Sequence, residues 1–365
     1  MEKPGVIFTF IGFMLLIFII LLYRNKPLKC VHKKEDIDKT RTEIGEYYFD
    51  NTFRGCNDVS VKNSYGLLAD AMIVCAATKN LPVTPYFYFE VVPEDFNKSG
   101  WLFVNLDITD FQNFEETSPQ NIICKTRQAY SILQNKYPSK NVLYTGFSSL
   151  DKYIPSIQKK YRKYLHLAGK SPYKGTINVI NAWKNHPEWP ELLLICRTDK
   201  YGIGSLSEED KKTIDSKNIS IIDKYLSEND LTKIMNECGI HICPSEHEGF
   251  GHYINEAKGV KSVVLYSDAP SMNEFFIDIK CGIPIKTYYN GLYKNVCPQY
   301  KTFVMDIEEA VEESLFMSEK ELEEMGQEAR HDFLNNDMKF KVTINTLLNW
   351  HNQTYQPCKN FKFLR

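Results

Sequence analysis

Short apolar runs bounded by turn residues alternate with stretches of helical periodicity along most of the chain. The runs Tyr86-Phe87-Tyr88-Phe89, Leu102-Phe103-Val104, Ile122-Ile123-Cys124 and Val142-Leu143-Tyr144 read as buried strands, since they are too short for helices and rich in β-branched and aromatic residues. Tyr65 to Lys79 carries Leu67, Leu68, Ala71, Met72, Cys75 and Ala76 at helical spacing, and Thr126 to Asn135 predicts a second helix. Farther on, strands are expected at Tyr164 to Ala168, Glu191 to Arg197, Ile219 to Ile222, Gly239 to Ile242 and Ser262 to Leu265. Between them lie helices at Ile177 to Lys184 and Glu228 to Cys238, and Pro270 to Phe275 turns into another. This alternation means βαβ units and parallel sheets, an α/β fold class whose ligands sit at the carboxyl ends of the strands. The acidic amphipathic segments Asp306 to Phe316, Glu319 to Asn335 and Phe340 to His351 predict separate closing helices.

The N-terminus breaks this pattern. Val6 to Tyr23 is uncharged and, as a helix, long enough to cross a bilayer core of about 30 Å. It outruns the apolar core of a signal peptide and no small-x-small site follows, so one membrane anchor is expected. Arg24, Lys26, Lys29, Lys33 and Lys34 follow the run and only Lys3 precedes it, which by the positive-inside rule keeps the rest in the cytosol. Sequons at Asn97-Lys98-Ser99, Asn218-Ile219-Ser220 and Asn352-Gln353-Thr354 leave a lumenal placement in the ER or Golgi open.

Composition changes the picture little. The 365 residues have room for two domains, and 43% hydrophobic with 25% charged is a globular balance. A net charge of -2 gives no electrostatic support for nucleic-acid binding. The 10 cysteines lack C-x-x-C pairs and zinc-type spacing, and read as buried thiols.

Candidate chemistry concentrates in two turns. Cys243-Pro244-Ser245-Glu246-His247-Glu248-Gly249-Phe250-Gly251-His252-Tyr253-Ile254-Asn255-Glu256-Ala257 runs from a strand through a glycine-bearing turn into a helix. Gly249 and Gly251 let backbone approach a ligand, and the helix start presents N–H groups to a phosphate. Glu248 and Glu256 flank the turn. Carboxylates accept from hydroxyls, so a ligand with both groups, a nucleotide sugar, would suit the stretch. The other turn, Gly169 to Thr176, carries Lys170 and Lys174, two cations for a diphosphate on which negative charge grows as a glycosyl group departs. Asp107 and Asp110 lie beyond the strand at Phe103, where a loop carboxylate is by default solvated. No histidine occurs between His32 and His166, so an acid or base in that half has to be a carboxylate. His241, His247 and His252 form no metal-binding triplet with a carboxylate, and no metal site is expected.

Taken together, Leu165 to Thr176, Pro244 to Gly251 and Glu256-Ala257 resemble the retaining GT-B glycosyltransferases of glycosyltransferase family four, the glycosyl transferases group 1. The likeness runs from about residue 160 to the end. It implies two Rossmann-like domains facing a cleft; this chain departs from the family in a shortened N-terminal domain, and the transmembrane helix expected from the apolar run precedes it. The resulting division is a tail at 1–5, an anchor at 6–23, a stalk at 24–45, an acceptor domain at 46–155, a donor-binding domain at 156–335 and a returning helix at 336–365. By the same resemblance Lys170, Lys174 and Glu248 are catalytic, the lysines on the diphosphate and Glu248 on the transferred sugar. Gly169 and the segment Gly249, Phe250, Gly251, His252 and Tyr253 would bind the donor, with Glu256 on its ribose. Enzymes of this kind usually need no metal, so the resemblance implies that this chain uses no cofactor and takes a UDP- or GDP-sugar.

The expected function is a membrane-anchored, retaining, metal-independent transfer of sugar to a glycan, lipid-linked or protein acceptor. A non-catalytic nucleotide-sugar-binding scaffold subunit is the alternative, and a nucleotide-sugar epimerase a third reading.

Overall fold

The computed structural model describes residues 67–68, 87–92, 96–169, 171–196, 214, 217–277 and 281–354. The expected anchor at 6–23, the stalk, most of the helix expected from Tyr65 to Lys79, and Lys170 lie outside the described residues. Among the described residues, no helix is long and apolar enough to cross a membrane.

Among the described residues, two parallel sheets of four and six strands form the frame. The first has four strands in the order β1 (Phe87–Phe89), β2 (Trp101–Val104), β3 (Asn121–Cys124) and β4 (Asn141–Tyr144). Strands β1, β2 and the last three residues of β3 are buried along their length, as the apolar runs require of strands covered on both faces. Helix α1 (Arg127–Lys136) follows β3 with Thr126 as its N-cap, the hydroxyl accepting from the Ala129 N–H at 3.1 Å.

The second sheet has six strands in the order β10 (Gly282–Ile285), β9 (Val263–Ser267), β8 (Cys238–Cys243), β5 (Lys160–Gly169), β6 (Leu192–Cys196) and β7 (Ile219–Ile222). Helices α2 (Thr176–Asn185), α3 (Glu228–Glu237) and α4 (His252–Gly259) connect them. Strand β5 starts four residues before the apolar run because its polar residues find partners. Arg162 donates to the carbonyls of Ser314, Leu315 and Met317 at the end of α5 (Val304–Phe316), and Lys160 pairs with Glu237 at 2.5 Å. Strand β10 and the antiparallel hairpin β11 (Tyr288–Tyr293) with β12 (Cys297–Lys301) were not legible in the pattern. Pro284 masks β10, and it is tolerated there because β10 is an edge strand.

The closing helices differ from expectation. Residues 319–335 and 340–351 belong to one 36-residue helix, α6 (Glu319–Thr354), so the division at 335/336 falls inside a continuous element. No glycine or proline stands at 336–339 to break it. Asn336 instead donates to Asp332 at 2.8 Å, and Lys341 pairs with Asp337 at 2.6 Å. At about 1.5 Å per residue such a helix reaches across both halves. Ala329 packs in the core of the second sheet, while Phe340 and Ile344 join Phe87, Phe89, Trp101 and Phe103 in the core of the first.

Polar links reinforce that crossing. Glu274 accepts from the Arg127 and Gln128 N–H groups at 2.6 and 2.8 Å, so a carboxylate of the second half caps a helix of the first. Arg330 forms two hydrogen bonds to Asp151, at 2.6 and 2.7 Å. The described cysteines are free and buried. The sequon residue Asn218 is buried and donates to the His186 carbonyl at 2.9 Å, which withholds its amide from modification in the folded chain.

Truncating Phe340 empties a site that is 2% exposed and shared by both halves. Phe340→Ala is expected to cost about 3–5 kcal/mol in urea unfolding. A loss below about 1 kcal/mol would mean that the helix does not tie the halves together.

Candidate active site

In the six-stranded sheet β5 pairs with β8 on one side and β6 on the other, so the chain order reverses between β5 and β8. Ligands of open α/β sheets bind in the crevice at such a switch point. The turns after β5 and β8 are the two that the sequence singles out.

The turns touch because Gly175 has no side chain. Its φ is +64°, and a Cβ there would lie 2.6 Å from the Pro244 carbonyl oxygen. The Glu246 N–H donates to the Tyr173 carbonyl at 2.9 Å. Beneath them, His166 holds Ile242 of β8 at 2.8 Å through Nδ1 and Thr176 of α2 at 3.1 Å through Nε2. Burial pushes its pKa down to about 4, so the ring is neutral, with Nδ1–H donating to the carbonyl and Nε2 accepting from the hydroxyl. His241, driven down to about 3 mainly by burial, is likewise a neutral core residue against the Met235 carbonyl.

Between the turns Lys174 Nζ pairs with Glu248 Oε1, and Ser245 donates to that same oxygen at 2.6 Å. Both contacts use Oε1. Lys174 also lies 3.8 Å over the Tyr253 ring, whose hydroxyl meets Ser245. Gly251, at φ +97°, caps α4, whose first N–H groups have no acceptor within the helix.

The remaining predicted donor residues are placed unequally. Gly169 ends β5 at φ +58°. Phe250 turns inward to the core of the first sheet, its ring 5.5 Å from Phe147, so only its backbone is available to the turn. His252 faces Ser149, with Nδ1 to Oγ at 2.9 Å, and burial lowers its pKa to about 3. Glu256 is bridged by Lys152 at 3.1 Å, and Lys152 also reaches Glu228 at 2.9 Å. Among the described residues, no group of three His, Cys, Asp or Glu could hold a metal ion.

The first half supplies what the sequence left in the background. Asn105 and Asp107, just beyond β2, lie against Gly249. A Cβ on Gly249 would fall 2.4 Å from Asp107 Oδ1 and 2.5 Å from Asn105 Cγ. Burial, then the charge of Glu248, pushes the Asp107 carboxyl up to about 6. The signal available in the sequence was position alone, a carboxylate past the carboxyl end of a strand. Asp110 is exposed, as a solvated loop residue should be.

Four buried side-chain polar atoms among the described residues lack a partner: Asn105 Oδ1, Asp107 Oδ1, His247 Nδ1 and Asn255 Oδ1. All lie on the Asn105–Asp107 segment or on the turn and helix beginning at Pro244. Unpaired buried polar atoms are costly, and their gathering at one seam marks it as a place for a polar ligand. His247 is stacked on Tyr293 of the hairpin at 4.5 Å and lies 4.6 Å from Tyr173, with its pKa lowered by burial to about 4. Behind the turn a cavity of about 320 Å³ is lined by Lys125, Arg127, Phe147, Phe250, Asn255 and Phe340, among others.

Residues 148–332 match the family model described as glycosyl transferases group 1. Solved structures similar to the chain include sucrose-phosphate synthase from Thermosynechococcus elongatus, at 11% identity and TM-score 0.56, covering 72% of this chain and 70% of that one. A glycosyltransferase from Rickettsia africae ESF-5 aligns at 11% identity and TM-score 0.52 over 90% of this chain and 83% of that one. A chain of the GtfA/B complex aligns at 18% identity and TM-score 0.50 over 70% of this chain, which spans about half of that longer one, 53%. At these identities the likeness bears on the fold alone. No curated protein sequence matches the chain.

Asp107 ionises at about 6 in place of 3.8. Its charge therefore destabilises the folded state progressively as pH rises from 3.8 to about 6, and fully above that. In Asp107→Asn, the melting temperature relative to wild type should climb through that window and then level off. A difference that is flat with pH would mean that Asp107 does not feel the seam.

Proposed function

The chain belongs to the glycosyl transferases group 1 family, and from that premise we propose that it moves a sugar from a nucleoside-diphosphate sugar to an acceptor hydroxyl with retention of anomeric configuration, as in glycosyltransferase family four. The observation that carries this reading is the meeting of Lys174 and Glu248 at the switch point of the six-stranded sheet. One cation and one carboxylate there match the two ends of a glycosyl phosphate. Lys174, with Lys170 beside it in sequence, neutralises the charge that grows on the diphosphate as the glycosidic bond breaks. Glu248 accepts from hydroxyls of the transferred sugar. The N–H groups from Gly249 to Tyr253 face the phosphates, as helix starts do.

Glu256 is assigned to the ribose, with Lys152 fixing its orientation. The acceptor hydroxyl attacks the anomeric carbon on the face the diphosphate leaves, and its proton passes to the departing phosphate oxygen. Neither a metal nor another cofactor is part of this scheme. The donor is a UDP- or GDP-sugar. The acceptor is a glycan, a lipid-linked glycan or a protein. Val6 to Tyr23 anchors the chain in the membrane, with the catalytic part in the cytosol. Burial of the Asn218 sequon removes one argument for the lumen.

Incubation of the full chain with labelled UDP- and GDP-sugars should give transfer or slow hydrolysis. In Glu248→Ala or Lys174→Ala turnover should fall by about 10²–10³, the scale of one preorganised electrostatic contact. Thermal protection by a donor without turnover would point to the scaffold subunit, and an isomerised nucleotide sugar to the epimerase. Full turnover in both variants would remove the site assignment.

A further inference from the structure

The wall facing the donor turn has a one-sided chemistry. Asn105 is held by a compact turn: its N–H donates to Thr109 Oγ1 at 3.0 Å, and its carbonyl accepts from the Ile108 and Thr109 N–H groups at 3.2 and 2.8 Å. Its amide orientation is fixed too, because Nδ2 donates to Glu90 Oε1 at 2.5 Å. That leaves Oδ1 as the free end, and Oδ1 is buried without a partner. Asp107, two residues on, presents a second unpartnered buried oxygen. Both are acceptors.

The nearest cation of that half does not reverse this balance. Lys125 is 2% exposed and pairs with Glu90 Oε1 at 3.2 Å, so its charge is answered within the wall. Its ammonium sits 5.1 Å over the Phe147 ring. Glu248 adds a further carboxylate from across the seam, close enough to raise the Asp107 pKa. A phosphate or carboxylate brought against these two oxygens would meet acceptors and the charges of Glu248 and Glu90, with Lys174 as the opposing cation from across the seam. A hydroxyl-rich molecule would satisfy the two orphan oxygens with its own O–H groups.

We propose that Asn105 and Asp107 bind the acceptor substrate, and that the part of it they hold is a neutral sugar with two neighbouring hydroxyls, one donating to Asn105 Oδ1 and the other to an Asp107 carboxylate oxygen. The word acceptor rests on the glycosyl transfer proposed above. The chemistry of the wall stands without it. Gly249 closes the seam over these oxygens, since its missing Cβ is what allows the turn to lie against them. The halves therefore part slightly to admit the sugar and close on it afterwards. Asn105 and Asp107 are binding and positioning groups here. The bond to the anomeric carbon forms, and the acceptor proton leaves, as already described.

The test uses the full-length chain with methyl glycosides of glucose, galactose, mannose and N-acetylglucosamine as probes, read by saturation-transfer NMR and titration. Methyl glucuronoside and glucose 6-phosphate serve as charged contrasts, and UDP, GDP and their sugars as donor probes. At least one neutral glycoside should bind. Asp107→Asn and Asn105→Ala should weaken it about tenfold, the scale of one hydrogen bond to a charged or buried acceptor, while nucleotide-sugar affinity stays within about twofold. Asp107→Asn keeps the shape of the side chain and so guards against misreading a folding defect. Glycoside affinity should also fall in wild type as pH drops through about 6, because protonation removes acceptor capacity from Asp107, and the variant should not follow. The groups acting on that titration are Glu248, the Asp107 backbone N–H, Glu90 and Lys174, and the Cys297 thiol faces it from β12.

Equal glycoside binding in wild type and both variants would overturn the proposal, as would tighter binding of the glucuronoside or sugar phosphate. Failure of every neutral glycoside to bind would do the same, as would variants that lose the nucleotide sugar alone, which would move the pair to the donor. Glycoside binding that depends on Asp107 in a chain without affinity for any nucleotide would contradict the transferase reading and leave this proposal standing.

Discussion

The ion pair between Lys174 and Glu248 is the contact around which the molecule is arranged. It joins two turns that are 74 residues apart in sequence and meet because the strand order reverses between β5 and β8. Its formation depends on features that have no charge. Gly175 lets the turns touch, neutral His166 bolts the strands beneath them, and Ser245 steadies the shared carboxylate oxygen. Tyr253 then supplies an aromatic floor for the ammonium. A partly buried ion pair recovers its desolvation only with such extra contacts. In the proposed transfer the pair exchanges partners with a ligand that carries both phosphate and hydroxyls.

The rest of the fold brings a second wall to this pair. Helix α6 crosses from one core to the other, and Phe340 and Phe250 insert apolar side chains from the second half into the first. The hairpin packs Val296 and Cys297 into the opposite part of the first half, while Tyr293 reaches the stack on His247. These apolar contacts and the polar links at Glu274 and Arg330 hold the halves together, and the seam between them collects the unpaired polar atoms of the described residues. Among the described residues, the four buried side-chain polar atoms without a partner lie on the segments that line this seam.

Much of this was legible from the sequence, for reasons that differ by element. Strands β1, β2, β3, β6 and β8 are buried on both faces, so continuous apolar runs announced them. The turn from Pro244 to Gly251 was legible because an apolar strand runs into a glycine-bearing stretch and helical character follows it. Strand β5 was read too short because its first residues are stabilised by partners distant in sequence, which periodicity cannot reveal. The single span of α6 was missed for a related reason. Its polar middle looks like a break until Asn336 and Asp337 are seen in their local hydrogen bonds. Asp107 resembled any solvated loop carboxylate. Only the approach of Gly249, 142 positions later in the chain, makes it part of a site.

A double-mutant cycle on Lys174 and Glu248 tests the central claim most directly. The stabilities of wild type, Lys174→Met, Glu248→Gln and the double variant are measured alone and with saturating UDP- or GDP-sugar. Without the nucleotide sugar the two side chains should couple by about 1–3 kcal/mol, as contacting residues do. With the sugar bound the coupling should largely vanish, because the lysine turns to phosphate and the glutamate to hydroxyl. Coupling of the same size in both conditions would contradict the account and leave the pair as a structural brace between two turns.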